Sequence, residues 1–476
     1  MRTEPVLCVV LLAGLAAALA VAIPAAPAVY ARPLRLLLRS YFLQRCGAAL
    51  DDAETGLRHG ACHLDDGTVL RADTAGPAGR RQAAAGGWHD AGDYGKYVAT
   101  GAVTAARLLS AYEECPALFP DGQLAIPESG NGRSDLLDEV AVELAWMLRM
   151  QRADGALYRK LAGARWPDLV PPDADTQPRF LYGVSTAETA KFAAALAFAA
   201  RVYPAGPSRV YRAAALRAWS YLEEHPDQEE DWQAGDDSGS GPYRASDTDR
   251  EATLRTDVDD RWWAAAELLL TTGEARFARY AEQHAAAVPY TLFEWKNPAP
   301  LGMLHLLALE PGLRSKLLAR AEASLATARR QPFGVANSRF VWGSNKMAAE
   351  EGITLWWAWR LTGRPELRAA ALGQIHYLLG RNALGKCFVT GLGTNPVRHV
   401  SHIFARAVHR DVPGLLVGGP NAQEQSGIAP RGRGALSYAD DARSYATNES
   451  AIDYNAALVG LLALAMAEPL GDGCLR

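Results

Sequence analysis

Cysteine is scarce in this chain of 476 residues, with only six in all. Cys8 falls in an N-terminal apolar segment, and Cys46, Cys62, Cys115, Cys387 and Cys474 are an odd set scattered over the rest. Such spacing excludes a dense disulfide framework. Lysine and arginine never form a run and the formal net charge is −4, so the chain lacks the clustered positive charge that grips nucleic acid or anionic lipid. The expected partner is neutral or small. No H-E-x-x-H, G-x-S-x-G or P-loop motif occurs, which leaves metalloprotease, serine hydrolase and nucleotide hydrolase readings without support. Past residue 23 no apolar run is long enough to span a bilayer. What remains, 49% hydrophobic and 21% charged residues with 43 glycines and 27 prolines, is an ordinary globular composition, neither disordered nor fibrous.

The N-terminus reads Met-Arg-Thr-Glu-Pro, then apolar residues from Val6 to Ile23, then small residues through Ala31. That is the layout of a secretory signal with A-x-A-like choices near Ala26-Pro27-Ala28, and an uncleaved anchor is the alternative. Residues 1–31 are accordingly expected to be a signal or anchor, and residues 32–476 a single domain in a secreted, extracellular or periplasmic protein. Helical patterning begins near Leu34, which leaves no room ahead of it for a separate binding module and favours soluble or loosely bound substrate chains over crystalline ones.

From about residue 97 onward apolar residues recur at helical spacing, as in Val140 to Met150, Thr186 to Arg201 and Trp262 to Leu270. About eleven such segments are present, with few alternating strands, so the fold class is all-α. Breakers such as Thr272-Gly273, Thr362-Gly363-Arg364-Pro365 and Leu379-Gly380-Arg381 stop the helices. Helices pair without a fixed short period, which favours a closed array over a solenoid. Three connections, roughly 50–96, 226–258 and 382–448, are too long and too rich in Gly, Asp and aromatics for simple turns, and are where chemistry is expected.

Two segments carry that chemistry. In Gly86 to Tyr97 (GGWHDAGDYGKY), Asp90 and Asp93 stand three apart among glycines and aromatics. On a helical turn they share a face, and two close carboxylates repel, which prepares one as a base. The plain alternative is an Asp that caps the next helix. In Tyr438 to Ala456 (YADDARSYATNESAIDYNA), Asp440, Asp441, Glu449 and Asp453 interleave with Tyr438, Tyr445 and Tyr454. A carboxylic acid beside aromatic rings loses solvation, keeps its proton and serves as a general acid. Against this, Glu449 also fits a helix-start acid after an Asn448 cap.

Together the two segments resemble glycoside hydrolase family nine, the inverting β-glucanases. Gly86 to Asp93 is similar to that family's base-bearing motif, and Tyr438, Asp440, Tyr445, Glu449, Ala451 and Asn455-Ala456 match its acid-bearing signature. Ile126–Glu139, Val341–Asn345, Leu379–Asn382, Phe388–Pro396 and Pro413–Asn421 resemble further family blocks in family order. The resemblance implies an (α/α)6 barrel with an open substrate cleft. It implies Asp93 as general base, Asp90 as holder of the attacking water and Glu449 as general acid, in an enzyme that takes a β-linked oligo- or polysaccharide, acts on β-1,4-glucans or cellodextrins and works as a monomer. Asp440 and His402 are then sugar-binding, with Trp88, Trp342 and Tyr438 as candidate sugar platforms or core residues.

Cys46, Cys62, His63 and His89 offer two thiolates and two imidazoles, a set suited to tetrahedral zinc, and a Cys46–Cys62 disulfide is the rival. A subgroup of the family has a structural zinc at matching positions. Such a metal braces the loop next to Asp90 and leaves no open position for hydrolysis. Asp259 and Asp260, with the Ser238 to Gly241 backbone, resemble a family calcium site; the alternative is a charged first turn favoured by the helix dipole.

The resemblance breaks after the Thr394-Asn395-Pro396 segment. Where the family runs Pro-His-His-Arg, this chain has Val400-Ser401-His402-Ile403, so one His and the Arg are missing, with Arg398, His399 and Arg406 nearby. An arginine fork is not casually replaced, so the sugar subsites must differ. An exo-acting β-glucosidase or β-glucosaminidase of the same family, and a non-catalytic carbohydrate-binding relative, are the alternatives.

Overall fold

The computed structural model describes residues 28–70, 78–230 and 256–467. The Val6 to Ile23 run, Cys8, Cys474 and the Ser238 to Gly241 segment lie outside these residues. The long helices in chain order are α1 (Ala28–Phe42), α2 (Val98–Glu114), α3 (Asp135–Met150), α4 (Thr186–Val202), α5 (Ala205–Glu224), α6 (Val258–Thr272), α7 (Ala275–His284), α8 (Ala299–His305), α9 (Pro311–Arg330), α10 (Ser344–Thr362) and α11 (Pro365–Leu378). Two short helices follow, α12 (Ile403–Ala407) and α13 (Tyr445–Asn448), before α14 (Ile452–Ala467).

The helices form two rings. α2 packs on α4, α4 on α6, α6 on α8, and α10 on α14, which returns to α2. Outside them α1 covers α14, α3 covers α2, α5 covers α4, α7 covers α6, and α9 and α11 cover α10. Inner helices are buried almost all round: α4 (TAETAKFAAALAFAARV) is buried from Thr186 to Ala200 apart from Ala187. Its alanines let neighbouring helices approach closely, and the Ser185 side chain caps it by accepting from Glu188 N. α6 and α10 end on Gly273 and Gly363, both at φ 70, the left-handed C-terminal stop that those breakers lead one to expect.

A small sheet accompanies the barrel, with strands Thr68–Val69, Arg179–Ser185, Leu157–Gly163 and Lys96–Tyr97 side by side. Leu157–Gly163 and Arg179–Ser185 pair antiparallel from Leu157↔Ser185 to Gly163↔Arg179. Alternation does not reveal the first of these strands, because all seven of its residues are buried, Arg159 and Lys160 included. Cys115 is disulfide-bonded, while Cys46, Cys62 and Cys387 are free thiols. Among the described residues no helix is long and apolar enough to cross a membrane.

Candidate active site

A cleft of about 630 Å³ opens where the N-terminal ends of α2, α10 and α14 and the segment leading into α8 converge. Inner-helix N-termini carry partial positive charge, a setting suited to carboxylates. Asp90, Asp93 and Glu449 all line it.

Asp90 and Asp93 ride on an irregular loop and not on a helical turn. Gly86 (φ 95) and Gly87 (φ 77) start it, and a Cβ on Gly87 would come within 2.8 Å of the Trp146 side chain. Backbone hydrogen bonds hold the loop from several sides. Cys46 N donates to Gly87 O (2.8 Å), His89 N to Gln44 O (2.9 Å), Ile403 N to Gly92 O (2.7 Å) and Ile452 N to Asp90 O (2.9 Å). Glu449 follows α13 directly, and its peptide oxygen accepts from Gly418 N at 2.8 Å. Its Oε1 accepts from Gly92 N at 3.2 Å. Gly92 permits this approach, since a Cβ there would lie 2.3 Å from Ser401 O and 2.8 Å from Glu449 Oε1.

The three carboxylates differ in electrostatic setting. Burial pushes Asp93 up to about 6, against the Gly95 N–H and the charges of Arg179 and Lys160. Burial and then the charge of Asp93 push Glu449 up to about 8, against the Gly92 N–H. Part of Glu449 still faces the cleft, so it is both reachable and poorly solvated. Burial also raises Asp90, whose Oδ1 accepts from the Thr100 hydroxyl. At neutral pH this arrangement keeps Asp93 mostly ionised and Glu449 mostly protonated, an acid and a base side by side.

Cys46, Cys62, His63 and His89 bring one ligand atom each to within 4.8 Å of the others. Both cysteines are free and buried, so the disulfide rival is not what the structure contains. Two sulfurs and two imidazole nitrogens at this separation fit a tetrahedral metal such as zinc. The fit extends outward: Asp175 Oδ2 lies 3.5 Å from His63 Nε2, leaving Nδ1 to face the cluster. Although burial alone pushes the Cys46 thiol up, the Cys62 thiol and the Lys96 charge bring it well below its ordinary value, a ready thiolate.

Of the expected sugar-binding residues, Trp342 and His402 line the cleft. Trp342 is held by its indole N–H, which donates to Tyr454 Oη, and by the Tyr445 ring at 5.6 Å. Burial pushes His402 down to about 3, so the ring is neutral. Its Nδ1 accepts from Ala405 N at 3.3 Å, which places the ring hydrogen on Nε2, as a donor. Ser401 and Ile403 also face the cleft, and Arg406, one turn further along α12, brings a guanidinium to the same wall. Arg398 and His399 instead give their backbone N–H groups to Asp440.

Three expected contacts are corrected. Trp88 is only 1% exposed, packs tilted against Tyr41 with ring centres 4.6 Å apart and donates its indole N–H to Glu139 Oε1 at 2.8 Å. It anchors the Asp90 loop from behind and has no face for a sugar. Tyr438 is buried against Phe388 and bonds Asn448. Asp440 lies outside the cleft lining, paired with Lys386 at 2.9 Å, and fastens the segment before His402. Asp259 and Asp260 sit in the first turn of α6. Lys191 pairs with Asp260 at 2.7 Å, while both Asp259 oxygens are buried without a partner among the described residues.

Sequence reading did not single out Trp166, Glu294, Trp295 or Lys346, all in the cleft wall. Trp166 stands on the loop between the two long strands and is 52% exposed. No local pattern separates such residues from core tryptophans or surface charges, because the strands that carry Trp166 to the cleft are themselves hidden from periodicity.

A desolvated acid and base in one open cleft, flanked by aromatic faces, define a glycoside hydrolase. The chain belongs to glycosyl hydrolase family 9, whose model matches residues 30–462. It is 32% identical to a xyloglucan-specific endo-β-1,4-glucanase of Bacteroides ovatus over 89% of this chain and 76% of that protein. It is 31% identical to endoglucanase D of Acetivibrio thermocellus over 91% of this chain and 69% of the relative. A metagenome-derived family 9 endoglucanase superposes with a TM-score of 0.87 at 46% identity, covering 92% of this chain and 81% of that one. Structures of this family are (α/α)6 barrels, and the double ring of helices is that fold.

Proposed function

We propose that this endoglucanase-like hydrolase is a secreted, inverting endo-β-1,4-glucanase acting on β-1,4-glucans and cellodextrins. The observation that carries the reading is the pairing, in one open cleft, of Asp93 at about 6 with Glu449 at about 8. Asp93 takes a proton from a water that Asp90 helps to hold, and that water attacks the anomeric carbon. Glu449 gives its proton to the departing glycosidic oxygen. Inversion needs room for the water between the carboxyl groups, roughly 6.5 to 9.5 Å in such enzymes. Trp342, Trp295 and Trp166 offer ring faces for sugars along the cleft, the retained His402 donates its Nε2–H to a sugar hydroxyl, and Arg406 donates in place of the family's missing Arg.

The four-ligand cluster holds structural zinc in this reading; the ion supplies cross-linking and charge next to Asp90, and the hydrolysis is done by the carboxylates. A calcium at Asp259 is supported by its two oxygens, which have no partner among the described residues, with Asp260 paired with Lys191. Export, with the apolar segment ahead of α1 as leader, is supported by the N-terminal apolar run and by the disulfide at Cys115, which suits an oxidising compartment.

The test is the early product profile from cellohexaose, a xyloglucan oligosaccharide and a chitosan hexamer, with wild type beside Glu449→Gln. Internal cleavage of cellohexaose to α-anomeric products by wild type alone is expected. Release of single glucose or glucosamine units would replace the endo reading by an exo one, and silence of wild type on all three would replace it by a binding role.

A further inference from the structure

Three buried polar atoms of titratable side chains in the cleft lining have no hydrogen-bond partner among the described residues: His402 Nε2, Lys346 Nζ and Asp453 Oδ2. The first belongs to a segment already read as sugar-binding. The other two face each other from the first turns of α10 and α14, 3.5 Å apart, with side chains 6% and 4% exposed. That is a loose contact for buried charges. Elsewhere in the molecule such groups are closely paired, as Arg39 with Asp52 at 2.5 Å and Arg107 with Glu350 at 2.6 Å. An ammonium has three hydrogens to give and a carboxylate about four lone-pair sites to fill, so the Lys346–Asp453 contact leaves both groups in need of partners.

Their position says which partners. Asp453 lies four residues beyond Glu449, and the neighbouring Ile452 N–H bonds to Asp90 O at 2.9 Å, so the pair forms the floor of the cleft on the Asp90 side. Glu294 lines the same cleft, and its charge is felt by Asp453. A hydroxyl can both donate and accept, so two neighbouring hydroxyls answer an ammonium and a carboxylate together. An amino group protonated at that position donates only, and it would meet the Lys346 ammonium.

We propose that Lys346 and Asp453 form a hydroxyl clamp that binds adjacent hydroxyls of a neutral hexose unit lying against Asp90 on the cleft floor. The clamp selects uncharged sugar over amino sugar at that subsite. It rests on the β-glucan reading of the cleft.

The experiment compares an aryl cellobioside with analogues that each lack one hydroxyl on the glucose next to the cleaved bond, using wild type, Lys346→Met and Asp453→Asn. Wild type is expected to lose at least about tenfold in kcat/KM on one analogue, as when a hydrogen bond to a charged group is lost. Both variants should be slower on the parent, yet discriminate against that same analogue by less than about threefold, a signature that a merely structural role does not give. Thermal melts verify folding, and the near-isosteric Asp453→Asn carries the test alone if Lys346→Met does not fold. Discrimination in the variants equal to wild type, or none in wild type, would overturn the clamp while leaving the glycosidase reading intact. Wild type inactive on the parent glycoside and on cellohexaose would sink both.

Discussion

Asp93 and Glu449 are ordinary carboxylates set on opposite sides of neutrality by burial, with the charge of Asp93 raising Glu449 further, at about 6 and about 8. As pH falls through about 6, Asp93 gains a proton and the base is lost; as pH rises through about 8, Glu449 loses its proton and the acid is lost. A bell-shaped kcat/KM profile with its plateau between these values is expected, and a profile rising monotonically through pH 9 would contradict the assignment. Glu449→Gln removes the transferable proton and should lower kcat by roughly 10²- to 10⁴-fold. It should also alter stability with a definite sign. Glu449 titrates at about 8 in the folded protein against an ordinary 4.5, so stability is fully present below about 4.5 and is lost as pH rises towards 8. Glutamine cannot ionise, and the Tm of the variant relative to wild type should climb across that window in melts at pH 5, 6.5 and 8. These carboxylates were legible in the sequence because each sits in a polar, glycine- or aromatic-rich loop that a core has no use for. Trp88 was not, since a tryptophan between glycines reads alike whether its ring meets a sugar or, as here, Tyr41 and Glu139.

At the scale of elements, the site depends on how closely three segments cross. The Asp90–Asp93 loop, the Ser401 strand-like segment and the residue after α13 meet at Gly92, whose missing side chain is what lets Ser401 O and Glu449 Oε1 come near. In Gly92→Ala the backbone must give way, since a Cβ would sit 2.3 Å from a carbonyl oxygen that is itself fixed in the chain. Overpacking of this kind costs about 1–3 kcal/mol. Activity should fall further than that cost in stability implies, because displacement by an ångström at the reacting groups is worth roughly 10²-fold. Comparison of Tm with kcat/KM checks this, and a variant of near-normal activity would mean that the loop relaxes without moving its carboxylates. Helices were legible from period and stops. The Leu157–Gly163 strand was not, because a segment buried on both faces has no alternation to show, and with it went the position of Trp166.

At the scale of the whole molecule, closure of the ring is non-local: α14 packs against α2 from the far end of the chain. Period identifies each helix but not its neighbours, so the barrel was legible through the family resemblance and not through local pattern. The metal cluster has the same non-local character, joining Cys46 beyond α1, Cys62 and His63 in the following loop, and His89 next to Asp90. Holding these together by side-chain packing alone would leave two buried sulfurs and two imidazoles crowded within 4.8 Å with a thiolate among them. A zinc ion satisfies all four donors at once, and an ion that binds only the folded state stabilises it by about 4 kcal/mol when present at a thousand times its dissociation constant. Purified protein should therefore hold about one zinc per chain. Stripping it with a chelator under mild denaturant, or replacing Cys46 by serine, should lower Tm and kcat together. KM should move less, because Trp342 is seated on another segment and keeps its place when the Asp90 loop slackens. Return of both Tm and kcat on adding zinc to the stripped wild type, but not to Cys46→Ser, would tie the effect to the cluster; full activity of metal-free protein would show that the loop's backbone hydrogen bonds are sufficient to hold it.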